Sequence, residues 1–98
     1  MNNNIDLYKN IIMPIIQKHV PNVKIILYGS RARKDFHEGS DIDVALDIGH
    51  AIDRLIMSKI MGDLEESSLP INFDIVDFWS VSENMQKEIL KYGIAWKK

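Results

Sequence analysis

The sequence contains no cysteine, has no excess of positive charge and has no long apolar segment. Without cysteine, disulfides and thiolate metal sites are excluded, so any cofactor must bind through oxygen and nitrogen ligands. Twelve Lys and Arg against fourteen Asp and Glu give a formal net charge of -2, which disfavours binding to nucleic acid. No apolar run approaches the ~20 residues that cross a bilayer, and the polar start lacks the features of a secretion signal. We therefore expect a soluble, cytoplasmic protein.

The length of 98 residues and the apolar content of 46% predict one domain, residues 1–98, with a single core. A second domain for a bulky substrate does not fit within this length, so such a substrate is expected to bind at the surface. Apolar periodicity predicts an α/β fold, with helices and strands in the order α-β-α-β-α-β-α around one sheet.

Apolar spacing and turn residues predict where each helix and strand lies. Pro14 is expected to kink or break the first helix near Met13, because proline has no N–H and crowds the preceding turn. The last helix begins with a capping-box pattern, Ser80 to Glu83, and ends at Gly93. The predicted helices are 5–20, 31–36, about 50–67 and 80–93; the predicted strands are 24–28, 41–47 and 71–78, with 94–96 as a candidate edge strand.

A glycine and a serine follow the apolar strand that ends at Tyr28. Gly29 lets the backbone approach a ligand closely, and Ser30 is predicted to cap the short helix after it, so that the turn presents N–H groups to a phosphate. Arg31 and Arg33 flank this turn, where either could neutralise a triphosphate or form a surface pair. By itself, the pattern favours a simple capped glycine turn.

Two aspartates alternate along the second strand, and a third lies on the strand that follows. Side chains at i and i+2 share one face of a strand, so Asp41 and Asp43 are expected opposite Ile42 and Val44. Carboxylates this close need solvent, a basic partner or a divalent cation, and an exposed strand face paired with nearby basic side chains stays open. Mg²⁺ explains more of the pattern, since it combines one or two carboxylates with the phosphates of a substrate.

A phosphate-binding turn, a pair of carboxylates and a third carboxylate on a neighbouring strand together describe metal-dependent phosphoryl or nucleotidyl transfer. In this interpretation, Asp41 and Asp43 hold the ion that bridges the triphosphate. Asp74 shares a second ion and lowers the pKa of an attacking hydroxyl, or acts as its base.

The same residues resemble a known signature. The stretches Gly29-Ser30-Arg31-Ala32-Arg33 and Gly39-Ser40-Asp41-Ile42-Asp43 look like the motif of the minimal nucleotidyltransferases of the DNA polymerase β superfamily. The strand that bears Asp74 and the helix that closes at Gly93 also resemble this family, so the likeness covers nearly the whole chain. Lys34 departs from the pattern, because many members have glycine after the second arginine.

The resemblance implies a small mixed β-sheet flanked by helices and Mg²⁺-dependent transfer of AMP from ATP, with release of pyrophosphate. It implies that the catalytic metal ligands are Asp41, Asp43 and Asp74, and that the nucleotide-binding residues are Gly29, Ser30, Arg31, Arg33 and Ser40. Members of the group often act as antitoxins bound to a helical HEPN-domain protein, and some adenylylate a tyrosine on it. The implied assembly is therefore a hetero-oligomer with a HEPN-domain partner.

The alternative is a non-catalytic binding module that neutralises a partner by contact. The enzyme is favoured, because a pure binder has no physical need for the acidic cluster. The remaining polar and aromatic candidates are expected outside the site: histidines 19, 37 and 50 in capping or solvent, aspartates 47 and 77 in structural or solvated positions, and tryptophans 79 and 96 in core or rim packing.

Overall fold

The computed structural model describes residues 5–34 and 41–97. Within these ranges the elements alternate along the chain as the apolar spacing predicts. They are helix α1 (Ile5–His19), strand β1 (Lys24–Tyr28), helix α2 (Ser30–Arg33), strand β2 (Ile42–Asp47), helix α3 (Arg54–Glu66), strand β3 (Phe73–Asp77), a 3₁₀ turn (Phe78–Ser80), helix α4 (Glu83–Tyr92) and strand β4 (Ile94–Lys97).

The four strands form one mixed sheet in the order β3-β2-β1-β4. Strand β2 pairs in parallel with β3, whereas β1 pairs antiparallel with both β2 and β4. The predicted edge strand after α4 is therefore confirmed as β4. The parallel pair also brings the start of β2 beside the start of β3, which matters for the carboxylates described below.

Alternate residues of the central strands face two apolar layers. Ile42, Val44 and Leu46 are fully buried on the face that α1 and α3 cover, as the alternation along β2 predicts. Ala45 lies on the opposite face, in a smaller cluster with Ile89 of α4. The sheet is thus covered on both faces, and the second face is the one that also carries the candidate carboxylates.

Helix α1 runs without interruption from Ile5 to His19, so the predicted break near Met13 is wrong. Pro14 is exposed, while Ile12 and Ile16 on either side of it are fully buried. The buried pair holds both halves of the helix on the core, and Asn10, whose carbonyl loses its helical partner to proline, is an exposed residue.

Two further helix ends differ from the prediction. Helix α2 ends at Arg33 rather than at residue 36, and α3 begins at Arg54, where the Asp53 side chain accepts a hydrogen bond from the Leu55 amide at 2.7 Å. Leu55 is 72% exposed although it is apolar. It lies about 100° around the helix from Ile56, outside the stripe that packs inward.

The cap of α4 is Ser82, whose hydroxyl accepts from the Met85 amide at 3.2 Å, and not Ser80 as the capping-box pattern predicts. Ser80 belongs to the 3₁₀ turn and donates its hydroxyl to Asp77 at 2.8 Å. The end of the helix at Gly93 is confirmed. A Cβ there would collide with the Ile89 carbonyl oxygen, so the chain passes α4 too closely for a larger residue.

Among residues 5–34 and 41–97, none of the helices has the length and apolar character needed to cross a membrane.

Candidate active site

Gly29 ends β1 in a backbone conformation that other residues rarely adopt, with φ 75° and ψ -157°. This region of the backbone map is essentially restricted to glycine. A Cβ at this position would overlap the carboxylate of Asp43. Because Gly29 has no side chain, the turn can lie directly against the Asp43 carboxylate.

Ser30 is the first residue of α2 and not its cap, so its predicted role as a capping residue is wrong. Gly29 occupies the cap position, where its carbonyl accepts from the amides of Ala32 and Arg33 at 3.1 Å each. Because α2 has only four residues, its dipole is small. The ability of this turn to hold a phosphate then depends on the glycine backbone and on the arginines that follow.

The two arginines of α2 have different surroundings. Arg31 is buried, with 8% of its surface exposed. Arg33 is partly exposed, and its Nη1 donates to Oε2 of Glu88 on α4 at 3.1 Å. Of the two, Arg33 has the side chain that solvent and a nucleotide can reach.

Lys34, the residue that departs from the family pattern, has a left-handed backbone, with φ 67° and ψ 22°. Its amide donates to the Ser30 carbonyl and ends α2. Glycine adopts this conformation without a steric cost, whereas a residue with a Cβ does not. The glycine that many family members carry here has a clear conformational reason.

Replacing Lys34 by glycine is expected to stabilise the fold by up to about 1 kcal/mol, because relief of the left-handed strain outweighs the added entropy of the unfolded chain. Urea unfolding of the wild type and of Lys34→Gly measures the difference. Lys34→Ala serves as the control, since it removes the charge and keeps the Cβ; a stabilisation of the same size in the alanine variant would assign the effect to charge instead.

Asp43 and Asp74 lie directly opposite each other in the parallel register of β2 and β3, and Tyr28 of β1 is the partner of Asp43 on the other side. Paired residues present their side chains on the same face of a sheet. Asp43 is partly buried, whereas Asp74 and Asp41, the residue just before β2, are exposed. The structure therefore brings Gly29, Asp43 and Asp74 together at one end of three adjacent strands.

The electrostatics of this group reflect crowded negative charge. Burial, followed by repulsion from Asp74 and Asp41, raises the pKa of Asp43 to about 6, while Arg33 acts in the opposite direction. These surroundings therefore disfavour the ionised form of Asp43. A cation bound beside the carboxylate would offset both the burial and the repulsion.

Tyr28 is a member of this group that the sequence did not single out. It is 5% exposed, and burial together with the charges of Asp43, Asp74 and Glu88 raises its pKa to about 12. The phenol therefore stays neutral at physiological pH. Tyr28 and Glu88 could be recognised only from the antiparallel register and the position of α4, because neither belongs to a motif.

The donor set fits a divalent ion that is completed by a substrate. Oxygen ligands from Asp43 and Asp74, with Asp41 beside them, are of the type that Mg²⁺ prefers. Within residues 5–34 and 41–97, however, no three acidic or histidine side chains converge closely enough to hold a metal by themselves. One or two carboxylates that share an ion with substrate phosphates match this arrangement. Ser40, the remaining predicted nucleotide-binding residue, lies outside the described residues, as does Gly39.

Two aspartates that are in the same strands but outside the site have structural roles. Asp47 accepts from the Trp79 indole at 2.6 Å and from the Gly49 amide at 2.8 Å. Asp77, 6% exposed at the end of β3, accepts from the Ile52 amide at 2.7 Å and from two donors of the 3₁₀ turn. The expectation that both lie outside the catalytic group in structural positions fits these contacts.

The histidines that the structure describes also lie outside the carboxylate group. His19 bonds Asp63 through Nε2 at 2.6 Å and joins α1 to α3, a structural contact instead of the predicted capping or exposure. His50 is exposed, and its Nδ1 lies 2.9 Å from the Ala51 carbonyl. His37 is outside the described residues.

Comparisons with known proteins point to one family. The model of the family "Polymerase beta, Nucleotidyltransferase" matches residues 10–96. A probable protein adenylyltransferase MntA of Haemophilus influenzae is 30% identical over 85 residues, which make up 87% of this chain and 75% of that protein. The protein adenylyltransferase MntA of Shewanella oneidensis is 27% identical over 88 residues, or 89% of this chain and 63% of that protein.

Solved structures agree with the sequence matches. A crystal structure of a toxin–antitoxin with AMP-PNP contains a chain of 26% identity with a TM-score of 0.74, and the match covers 90% of this chain and 71% of that one. A second solved structure, described as "Crystal structure of putative nucleotidyltransferase", is 27% identical with a TM-score of 0.62, covering 90% of this chain and 96% of that one. The predicted α/β fold with a small mixed sheet flanked by helices is confirmed, and the chain belongs to the polymerase β nucleotidyltransferase family.

Proposed function

We propose that this protein transfers AMP from ATP to a tyrosine hydroxyl of a HEPN-domain partner in the presence of Mg²⁺, and that it acts in this way as the antitoxin of the pair. The observation that carries the proposal is the register of the sheet. It sets Asp43 opposite Asp74 and places the glycine turn, which has no side chain, against the Asp43 carboxylate.

The relatives support AMP transfer to a protein within a toxin–antitoxin pair. Two of them are named protein adenylyltransferases, and the structural neighbours include a tri-AMPylated Shewanella oneidensis HEPN toxin in complex with an MNT antitoxin. The latter is 24% identical, so by itself it supports the fold only. An exposed Asp74 and a partly exposed Arg33 leave this chain's site open to a macromolecular acceptor.

The reaction is an in-line displacement at the α-phosphorus of ATP. The acceptor oxygen forms a new bond to that phosphorus, the bond to the bridging oxygen of the β-phosphate breaks, and pyrophosphate leaves with the electron pair. The phenolic proton passes to Asp74, which is exposed and can release it to solvent. Phosphoryl transfer needs little covalent catalysis by the protein. Positioning of the reactants and stabilisation of charge in the transition state therefore supply most of the rate enhancement.

The residues of this chain divide these tasks. The Gly29 backbone lets the triphosphate approach β1, and the Arg33 guanidinium offers donors that match phosphate oxygens. Asp43 and Asp74, with Asp41, would hold Mg²⁺, which when bound supplies positive charge to the transferring phosphoryl group and its neighbours. Tyr28, which is buried and pairs with Asp43 across β1 and β2, adds no charge to the site.

Intact mass of a HEPN-domain partner after incubation with this protein, ATP and Mg²⁺ tests the proposal. Each transferred AMP adds the mass of one adenylyl group, and tyrosine-to-phenylalanine variants of the partner identify the acceptor. Asp41→Asn with Asp43→Asn is the catalytically inactive control, and omission of Mg²⁺ in excess chelator tests the metal. Stable complex formation with no mass change under any of these conditions would instead support a module that neutralises by contact.

A further inference from the structure

A small pocket lies at the start of β3, on the other face of the sheet from the carboxylates. Its volume is about 260 Å³. Glu65 and Asn72 contribute polar groups to its lining, and the rest of its walls are apolar: Met61, Leu64, Leu69, Ile71 and Phe73. Pockets that hold drug-sized molecules occupy about 300–1,000 Å³, so this one, the β3 pocket, suits a single amino-acid side chain.

The β3 pocket and Asp74 lie on opposite sides of one strand. Successive side chains of a strand alternate between faces, so Phe73 packs toward the core that α1 and α3 cover, while Asp74 is exposed on the face of Asp43. A nucleotide bound at the carboxylates would therefore leave the pocket unfilled. Within residues 5–34 and 41–97, β3 pairs with β2 alone and forms an edge of the sheet, so another protein can approach both faces of the strand from this side.

The backbone at this edge can bind an extended chain. The Asn72 carbonyl accepts from the Ile42 amide of β2 at 3.0 Å. Because the backbone groups of successive residues in a parallel strand turn to opposite sides, Phe73 directs its N–H and C=O away from β2. A segment of another protein that runs beside β3 can pair with these groups. The side chains of that segment then alternate between the Asp74 face and the pocket face.

Charge indicates which kind of segment fits. Residues 65–74 include Glu65, Glu66 and Asp74 and contain no lysine or arginine. All three acidic residues are exposed. Charge complementarity therefore favours a segment that carries lysine or arginine.

We propose that the β3 pocket holds an apolar side chain of the acceptor protein, next in sequence to the modified tyrosine, in an extended and basic segment that lies along the edge of β3. This inference rests on the proposed function, because AMP transfer is what requires a tyrosine hydroxyl at Asp74. With the tyrosine on the Asp74 face, alternation puts its neighbour on the Phe73 face, where the pocket lies. The pocket thus selects the acceptor and takes no part in nucleotide binding.

Glu65→Gln is expected to raise the KM for a HEPN-domain partner about three- to fivefold, and Leu69→Gln, which places a polar amide in the pocket wall, about tenfold. In both variants kcat should stay within about twofold, and the Kd for AMP-PNP should not change. Glu83→Gln removes an exposed charge of the same kind at the start of α4 and is the matched control with an unchanged KM. Leu69 is partly buried, so urea unfolding checks that its variant is folded; Glu65 is exposed, and its variant does not depend on that check.

Short synthetic peptides test the chemistry of the acceptor directly. One peptide has a central tyrosine with leucine on each side and lysines at both ends; a second replaces the leucines by serine, and a third replaces the lysines by glutamate. Transfer to the first peptide, measured by intact mass in ATP and Mg²⁺, should have a kcat/KM at least about tenfold above that of either other peptide. Glu65→Gln should narrow the difference between the lysine and glutamate peptides by about threefold.

Equal transfer to the three peptides, or a KM for the partner that neither Glu65→Gln nor Leu69→Gln changes, would overturn the inference and leave the proposed function in place. The opposite failure gives a different result. If no AMP is transferred but both variants weaken the binding of the HEPN-domain partner measured by calorimetry, the proposed transfer is refuted and the β3 pocket remains a docking site for that protein.

Discussion

Asp43→Asn is expected to abolish AMP transfer and, at the same time, to make the metal-free protein more stable. The carboxylate lies between Asp74 and the glycine turn, where we propose that it binds the cation. Loss of a charged ligand that acts at the transferring phosphoryl group costs about a thousandfold or more in kcat. The double variant that includes Asp41→Asn should be no more active.

The gain in stability follows from the raised pKa of Asp43, about 6 against an ordinary 3.8. Well below the unfolded-state pKa of 3.8 the group is protonated in both states and has no effect. Between pH 4 and 6 the unfolded chain has released the proton while the folded chain retains it, so stability falls as pH rises, and the full penalty is present above the folded pKa. The shift would correspond to at most about 3 kcal/mol, and partial exposure of the carboxylate reduces the expected gain at pH 7 to about 1 kcal/mol.

Urea unfolding of wild type and Asp43→Asn in chelator at pH 4, 5, 6 and 7 measures this effect. The difference between the two proteins should be smallest at pH 4 and should grow up to pH 7. Glu66→Gln, which removes one exposed carboxylate from the end of α3, controls for the loss of a charge and should show no such divergence. A difference between wild type and Asp43→Asn that is constant over this range would contradict the electrostatic origin, and full transfer activity in Asp43→Asn would contradict the proposed site.

Much of the carboxylate site could be predicted from local pattern, because alternation along a strand fixes which residues share a face. Asp43 shares a face with Ala45 and is opposite Ile42 and Val44, as expected. The pattern did not reveal that β3 runs parallel to β2 in a register that sets Asp74 against Asp43. Strand order and register depend on contacts between distant parts of the chain.

The missed residues have the same explanation. Glu88 is 55 positions from Arg33, and Tyr28 approaches Asp43 only through antiparallel pairing. The helix cap was misassigned for a related reason: Ser80 and Ser82 are both good caps in sequence, and the Asp77 carboxylate at the end of β3 binds the hydroxyl of the first. Tertiary contacts thus decided between local alternatives that were nearly equal.

Gly29→Ala is expected to destabilise the protein by about 3 kcal/mol or more, a large fraction of the stability of a small domain. Two costs combine. A residue with a Cβ is strained at φ 75° and ψ -157°, and the added methyl group would overlap the carboxylate of Asp43. The turn and the carboxylate must then separate, which displaces both the backbone proposed to bind phosphate and the side chain proposed to be catalytic.

Thermal and urea unfolding measure the effect, and Gly62→Ala provides a matched control. Gly62 lies inside α3, where a Cβ meets nothing within 4 Å, so the same substitution there should stabilise the protein by up to about 1 kcal/mol through helix propensity.

Asp43→Ala separates the two costs at Gly29, because it removes the carboxylate that the new methyl group would meet. The double variant Gly29→Ala, Asp43→Ala should therefore be less destabilised than the sum of the single changes, with a coupling of about 1 kcal/mol. Strict additivity would assign the whole cost to backbone strain, and a Gly29→Ala protein as stable as wild type would refute the close approach of the glycine turn to Asp43 on which the site is built.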